Sequence, residues 1–449
     1  MSVIIIGAGI GGLTTAAYLS KMGIESILFE KTGSIGGRCS TRIINGEKYE
    51  IGAIYVGGGA FDNLRNTFGV EIESTPVKGC VKLGEHFISF PMGFKTLSEL
   101  RACGVKWAEI FSFIIKNKTI LSNPNTFKKY ESVGILLHKL TNNKIILQFL
   151  SSLFGMSGIS PSLLPSLYMD IKNPIVKYKS LNPEYLKGGN GEVASILKGI
   201  AENKCTLLKN EEVKKIIIEN NEVKGVETCN GIYESRFVVS NTGIKSTFLE
   251  LIDPPDCPDD YQREIEMLPE TLKVVNIFFT FPKSFSLPKG YSVFFLCSHI
   301  EDAFNDLEEG LFPRELMFIL HIPSNLETDS SEHHRATLQF YYPKNKCEEL
   351  RYYVDRIMNE GLDSLFCGFS KAVDNYTVYN PDKYLKEFGF NPYVFGVSPN
   401  LNFNRFPVKT KINNLFCVGD SVLPEGPCVP QAMESGIICA KSIYNIWKT

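Results

Sequence analysis

The chain opens on an unbroken apolar run, Val3-Ile4-Ile5-Ile6, followed at once by Gly7-Ala8-Gly9-Ile10-Gly11-Gly12. Four apolar residues closed by glycine predict a buried strand that turns directly into a helix, here from about Gly11 to Met22. A second strand over Ser26–Glu30 completes a βαβ opening, and Lys48–Val56 reads as a further strand leading into Gly57-Gly58-Gly59. From about 92 to 180 the apolar positions recur at helical spacing. Val133–Phe154 is the longest such stretch, with Pro161, Pro165 and Pro174 as punctuation, so this region is expected to be mainly helical. Gly188-Gly189-Asn190-Gly191 then breaks the chain before a short helix, Glu192–Glu202. Lys214–Glu219 and Glu222–Thr228 predict a hairpin around Asn220-Asn221, and Arg236–Ser240 another buried strand. Between 246 and 400 the β-branched and aromatic bias of Val274–Phe281, Tyr291–Cys297, Leu316–Ile322 and Thr337–Tyr342 predicts strands, interrupted by a helix over about Glu348–Leu365. Leu415-Phe416-Cys417-Val418 is a last buried strand ending in Gly419-Asp420.

This alternation predicts an α/β chain whose two domains are built from interleaved pieces. Residues 1–91, 185–245 and 401–449 would form a nucleotide-binding domain, and residues 92–184 (mainly helical) and 246–400 (strand-rich) an inserted domain. With 449 residues, 44% of them hydrophobic, there is ample material for both cores. A net charge of −2, from 47 basic and 49 acidic residues, provides no footprint for nucleic acid. The twelve cysteines are scattered without a Cys-x-x-Cys pair, and Met1-Ser2 leads straight into the first strand, so the expected setting is reducing and cytoplasmic. No apolar run reaches the length of a membrane span. The amphipathic stretch Trp107–Leu121, interrupted by Glu109, Lys116, Asn117 and Lys118, leaves a peripheral membrane contact as an open alternative.

The chemistry begins at Gly7, Gly9 and Gly12, whose G-x-G-x-x-G spacing follows a strand and opens a helix. The first glycine serves a tight turn, the second close approach of a pyrophosphate, the third close packing of the helix, while amides around Gly11 face the phosphate charge. Glu30, with Lys31 beside it, ends the next strand, where a carboxylate accepts the hydroxyl hydrogens of an adenosine ribose and repels a 2′-phosphate. That placement selects FAD or NAD over NADP. Gly36-Gly37-Arg38 follows within a Gly33-Ser34-Ile35 lead-in, two glycines admitting close backbone approach and Arg38 supplying a fixed positive charge.

In this position the Gly-Gly-Arg segment resembles the second FAD motif of the phytoene desaturase and amine oxidase superfamily. Three further segments extend the resemblance over nearly the whole chain. They are Glu211 to Ile216 with Val238-Val239-Ser240-Asn241, then Gly419-Asp420 continuing through Val429, Pro430, Ala432 and Gly436, and, more loosely, Ile322-Pro323-Ser324 with Asp329. The resemblance implies a Rossmann-type FAD-binding domain with an interleaved α+β substrate domain of mixed sheet plus helices. It also implies Val213 beside the adenine, Asp420 on the ribitol or pyrophosphate, and Val429 at the start of a helix that stabilises negative charge on the flavin.

The loop Leu423-Pro424-Glu425-Gly426-Pro427-Cys428 departs from the family's more Gly-rich turn, making Glu425 and Cys428 candidates for the redox face, against the plainer reading that they shape the loop. His333 and His334 read as a solvated loop and His321 as a core or surface residue; no metal-ligand spacing is present. The resemblance implies an oxidoreductase acting on a hydrophobic, isoprenoid- or lipid-like molecule by desaturation, isomerisation or saturation. The electron acceptor stays open among O2, a quinone and a nicotinamide. Two rivals share the architecture: a flavin amine oxidase releasing peroxide, and a non-enzymatic prenyl-protein binder of the Rab GDP dissociation inhibitor type.

Overall fold

A computed structural model describes residues 2–122, 131–166, 183–297, 299–326, 332–345, 348–402, 404–424 and 428–448. Its first layer is a five-stranded, all-parallel sheet in the order Cys205–Lys209, Ser26–Glu30, Val3–Ile6, Val238–Ser240, Leu415–Cys417. Val3–Ile6 lies at the centre, fully buried, as its unbroken apolar run requires of a strand covered on both faces. The helix Ile10–Lys21 packs between Glu192–Ala201 and the long C-terminal helix Cys428–Trp447. From the first strand the chain builds outward in one direction to Ser26–Glu30 and Cys205–Lys209, and later strands fill the other side. The carboxyl ends on either side of that reversal form the crevice where such sheets bind ligands.

The second layer is a seven-stranded mixed sheet, in the order Tyr376–Tyr379, Lys273–Pro282, His333–Tyr342, Phe318–His321, Val293–Leu296, Gly79–Leu83, His86–Phe90. Its neighbours are antiparallel except Val293–Leu296 with Gly79–Leu83. One face packs on a core containing Leu100, Ile110, Phe113, Leu137, Ile146 and Phe149 from the helices Phe94–Ala102, Trp107–Ser122, Val133–Leu140 and Lys144–Gly155. The other packs on Tyr353, Ile357, Leu362 and Phe369. Because both faces are covered, these strands read as near-continuous apolar runs. The expected α/β class, a Rossmann-type parallel sheet with an interleaved mixed sheet and helices, is borne out.

Several local expectations need correction. Lys48–Val56 is not one strand: Glu47–Glu50 forms a hairpin with Thr41–Ile44, the chain then runs irregularly through Ile51–Tyr55, and the helix Gly58–Asn63 follows the two-residue strand Val56–Gly57. Side chains, not a neighbouring strand, take the carbonyls of this stretch. His333 and His334 are no solvated loop but begin the strand His333–Tyr342, where His334 is buried and bonded through Nδ1 to Ser324 Oγ at 3.0 Å. The strands Gly79–Leu83 and His86–Phe90 join the mixed sheet ahead of the helical stretch. The helix expected over Glu348–Leu365 contains a π turn at Ile357–Gly361.

Candidate functional site

The carboxyl ends of four parallel strands meet around one cavity. Gly7 follows Val3–Ile6, Glu30 ends Ser26–Glu30, Asn241 follows Val238–Ser240, and Gly419-Asp420 follows Leu415–Cys417; all line it. At the first of these ends the requirement for glycine is steric. A Cβ on Gly12 would stand 2.2 Å from the Gly7 carbonyl oxygen, so the helix rests directly on the turn. Gly11 is equally confined, with Gly419 N 2.7 Å from where its Cβ would be. Asn241 ties the turn to the far side of the sheet: its carboxamide, oriented to satisfy both atoms, accepts from Gly9 N at 3.2 Å and donates to Val418 O at 3.3 Å.

Glu30 is held by backbone on both oxygens. Oε2 accepts from Ala8 N at 2.9 Å, and Oε1 from Thr32 N at 2.9 Å and Thr32 Oγ1 at 2.8 Å. The carboxylate is thereby fixed at the cavity rim with lone pairs left for outside donors. Lys31 and Val213 line the same end, and Glu211, also on the wall and buried, keeps Oε1 without a protein partner. A buried acceptor of this kind suits a ligand carrying amino or hydroxyl donors.

Gly36 and Gly37 lie against the opening turn: Gly36 N donates to Ala8 O at 2.8 Å, and at φ +94° Gly36 occupies a conformation that favours glycine. Arg38 and Asp420, assigned separate contacts by the resemblance, face each other here. Arg38 Nη2 pairs with Asp420 Oδ1 at 2.6 Å, and Nη1 donates to Tyr393 O at 3.0 Å. This pair spans the cavity between the second glycine segment and the closing one. Val429, in the first turn of the C-terminal helix, completes this wall. Cys428 opens that helix but its side chain is not among those described, and Glu425 lies outside the described residues, as does Asp329.

The cavity, about 810 Å³, continues from this end to the mixed sheet. There Val274 pairs with Tyr341 and Phe295 with Ile319 in register, so the four share one face, joined by Met156 from the helical part. Tyr341 Oη donates to Gly155 O at 2.9 Å, which leaves the wall apolar. Between the two ends runs Ile51-Gly52-Ala53, with each carbonyl held by a side chain. Asn276 Nδ2 (3.0 Å) and Tyr384 Oη donate to Ile51 O, Gln339 Nε2 to Gly52 O (3.3 Å) and Asn190 Nδ2 to Ala53 O (2.8 Å).

Behind this segment Glu50 is almost wholly buried. Its Oε1 accepts from Thr41 Oγ1 at 3.1 Å, Asn190 N at 3.1 Å and Tyr185 Oη at 3.2 Å, and burial pushes its carboxyl above the usual range. The Tyr185 ring meets His321 edge-on with centroids 5.6 Å apart. His321 is fully buried with neither nitrogen bonded, and burial lowers its pKa to about 3. Sequence reading included Asn241 in a segment resembling an FAD motif without giving it a contact of its own, and passed over Glu50. A polar residue ending a buried strand, and a carboxylate between the apolar Tyr49 and Ile51, were the available signals. Among the described residues no His, Cys, Asp and Glu cluster suits a metal ion, and no helix is long and apolar enough to cross a membrane.

Comparison with known proteins agrees with this geometry. A family model described as an NAD(P)-binding Rossmann-like domain matches residues 5–69. The 1-hydroxycarotenoid 3,4-desaturase of Flavobacterium sp. (strain P99-3) is 27% identical over 57% of this chain and 59% of its own, so the match spans less than two thirds of that relative. The chloroplastic prolycopene isomerase of Daucus carota is 24% identical over 98% of this chain and 79% of its own. Among solved structures, an oxidoreductase from Methanosarcina mazei superposes with TM-score 0.72 at 18% identity, covering 99% of this chain and 100% of its own. Cyclohexylamine oxidase from Brevibacterium oxydans IH-35A gives 0.63 at 16%, covering 100% and 99%. The structural likenesses establish the fold, and the resemblance drawn from the motifs is borne out. By sequence the chain is a relative of a carotenoid desaturase and a prolycopene isomerase, and it shares its fold with both of these solved structures.

Proposed function

We propose that the chain is an FAD-dependent oxidoreductase that moves a hydride between a carbon of an apolar, isoprenoid- or lipid-like substrate and flavin N5. The observation that carries this reading is the continuity of one cavity from the glycine-lined crevice at Glu30 and Val213 to the apolar wall of Met156, Val274, Phe295, Ile319 and Tyr341. The residues fit a flavin dinucleotide. The cradle at Gly9, Gly11 and Gly12 has no room for side chains, Glu30 is oriented to receive ribose hydroxyls, and the unpartnered Glu211 Oε1 awaits a donor. FAD, when bound, supplies a hydride acceptor or donor.

The protein's part is orientation and exclusion of water. Gly7, Gly9 and the start of the helix Ile10–Lys21 would hold the pyrophosphate, and Arg38 with Asp420 closes the crevice beyond it. The segment Ile51-Gly52-Ala53, braced from Asn276, Gln339, Tyr384 and Asn190, lines the cavity where the cofactor end meets the apolar end. At the apolar wall the Tyr341 hydroxyl is already committed to Gly155, so the wall aligns a carbon skeleton without offering a proton acceptor of its own. Such a site suits desaturation, isomerisation or saturation of an apolar chain; the relatives named above include a desaturase and an isomerase.

The test is to purify the full chain gently, record its visible spectrum, and identify by mass both the cofactor and any organic-extractable molecule. FAD together with an apolar ligand is expected, and anaerobic mixing with isoprenoid substrates should bleach or restore the flavin band. A colourless protein that still binds prenyl groups would overturn the reading in favour of a non-enzymatic carrier. Peroxide release on a panel of amines, with no response to apolar substrates, would overturn it in favour of an amine oxidase.

A further inference from the structure

The side chains that brace Ile51-Gly52-Ala53 are not equally committed. Asn190 uses both ends of its carboxamide, donating to Ala53 O and accepting from Leu186 N at 3.5 Å, while Tyr384 gives its hydroxyl hydrogen to Ile51 O. Gln339 donates to Gly52 O and Asn276 to Ile51 O, each through its amide nitrogen. Those carbonyls fix both carboxamides with nitrogen toward the segment and oxygen away from it. Asn276 Oδ1 is sealed from solvent without a partner. Gln339 Oε1 also has no partner among the described residues, but it is not sealed, and Gln339 lines the cavity.

Strand register places this acceptor. Gln339 lies opposite Ile319 on one side and Asn276 on the other, Phe295 lies beyond Ile319, and Tyr341 is two residues along the same strand, so Gln339 interrupts the apolar wall. A largely buried carboxamide oxygen left without a donor is unfavourable, and a ligand that brings an O–H or N–H removes that cost. An ammonium group would need a counter-charge, and the strands Lys273–Pro282, Val293–Leu296, Phe318–His321 and His333–Tyr342 contain no Asp or Glu. A hydroxyl needs none. We propose that Gln339 is a specificity-determining residue and that the substrate is an apolar chain bearing a hydroxyl group, which donates to Gln339 Oε1. The carboxamide oxygen accepts this bond without taking the proton, so Gln339 orients the chain along the wall and does not act as a base.

This inference rests on reading the apolar end as the substrate site, but its test needs neither turnover nor bound flavin. Equilibrium dialysis of the full chain, as purified, compares geraniol with the hydrocarbon myrcene of equal carbon count and with geranylamine. Geraniol should bind at least about tenfold more tightly than either. Gln339→Met, unbranched and of similar length, should bring geraniol down to the affinity of myrcene while leaving myrcene within about threefold, and Gln339→Leu should do the same. A role confined to bracing Gly52 would instead weaken all three ligands together, and that result would overturn the proposal. So would a geraniol preference that survives Gln339→Met, a preference for geranylamine, or equal or absent binding of geraniol and myrcene by the wild type. Flavin measured on the same samples separates the two readings. A Gln339-dependent preference in protein that binds no flavin upholds the hydroxyl site and overturns the oxidoreductase, whereas tightly bound flavin with no preference overturns the hydroxyl site alone.

Discussion

The two ends of the cavity are made in different ways. At the dinucleotide end the wall is backbone, glycines packed so closely that a Cβ on Gly12 would reach within 2.2 Å of the Gly7 carbonyl oxygen. At the apolar end the wall is side chain, from Met156, Val274, Phe295, Ile319 and Tyr341, brought together by pairing of strands far apart in the sequence. A backbone wall tolerates almost no substitution and recognises a group every such protein shares. A side-chain wall tolerates change of shape and sets which molecule enters. On the proposed function, the difference teaches that cofactor and substrate recognition are separable, with the braced segment Ile51-Gly52-Ala53 lining the cavity where the two ends meet.

The largest effect expected of a single methyl group is at Gly12. Gly12→Ala forces the helix Ile10–Lys21 off the turn, a clash costing about 3 kcal/mol, or about 100-fold in affinity for the dinucleotide. Bound flavin after gel filtration measures it, and retention close to wild type would show that the turn does not set the site. Next is Glu50→Ala, which strands the donors of Asn190, Thr41 and Tyr185 and should cost about 2 kcal/mol of stability. Glu50→Gln keeps an acceptor and separates charge from hydrogen bonding. The folded carboxyl holds its proton to higher pH than the unfolded one, so stability from this group is present at low pH and declines as pH rises past the ordinary carboxylate range. Thermal melts should therefore show Glu50→Gln gaining on wild type at pH 8 but not at pH 4.

Ile319→Trp probes the other end. Filling the apolar wall should leave flavin affinity within about twofold while weakening apolar-substrate binding about tenfold, roughly 1.4 kcal/mol, seen as a rise in KM. Loss of flavin with unchanged substrate binding would break the separation of the two ends.

The same contrast explains what could be read from sequence. The dinucleotide end was legible because its contacts are local: strand, glycine turn and helix lie within about twenty residues, and only glycine meets their steric demand. The hairpin Val213–Glu219 with Glu222–Thr228 was legible for the same reason. The apolar wall was not, since Phe295 and Ile319 look like core residues until register shows which face they share. The break at Ile51 was hidden too, because it depends on Asn276, Gln339 and Tyr384, more than two hundred residues away. Arg38 and Asp420 were recognisable one by one, but their pairing across 382 positions was not.

His321 offers the smallest effect at neutral pH and the most diagnostic one across pH, because it adjoins Glu50 through Tyr185 yet should respond to pH in the opposite sense. Two positions along the strand from Ile319, it shares that residue's face but is sealed from solvent, with both ring nitrogens unbonded. Burial disfavours the charged ring and carries its pKa from 6.5 to about 3. As pH falls below about 6.5 the unfolded chain therefore takes up a proton that the folded chain refuses, so stability is lost on acidification, by up to about 1.4 kcal/mol per pH unit, until pH nears the folded value. His321→Leu removes that acid limb, and by replacing two unpaired nitrogens with a methyl-bearing side chain of similar size should add about 1 kcal/mol at neutral pH. Melts of wild type, Glu50→Gln, His321→Leu and the double variant across pH 4.5 to 8 give the result. The histidine substitution should flatten the acid side and the glutamate substitution the alkaline side. An acid limb that survives His321→Leu would mean that the ring is hydrated or bonded in solution, and that the wall behind Ile319 is wetter than its packing implies.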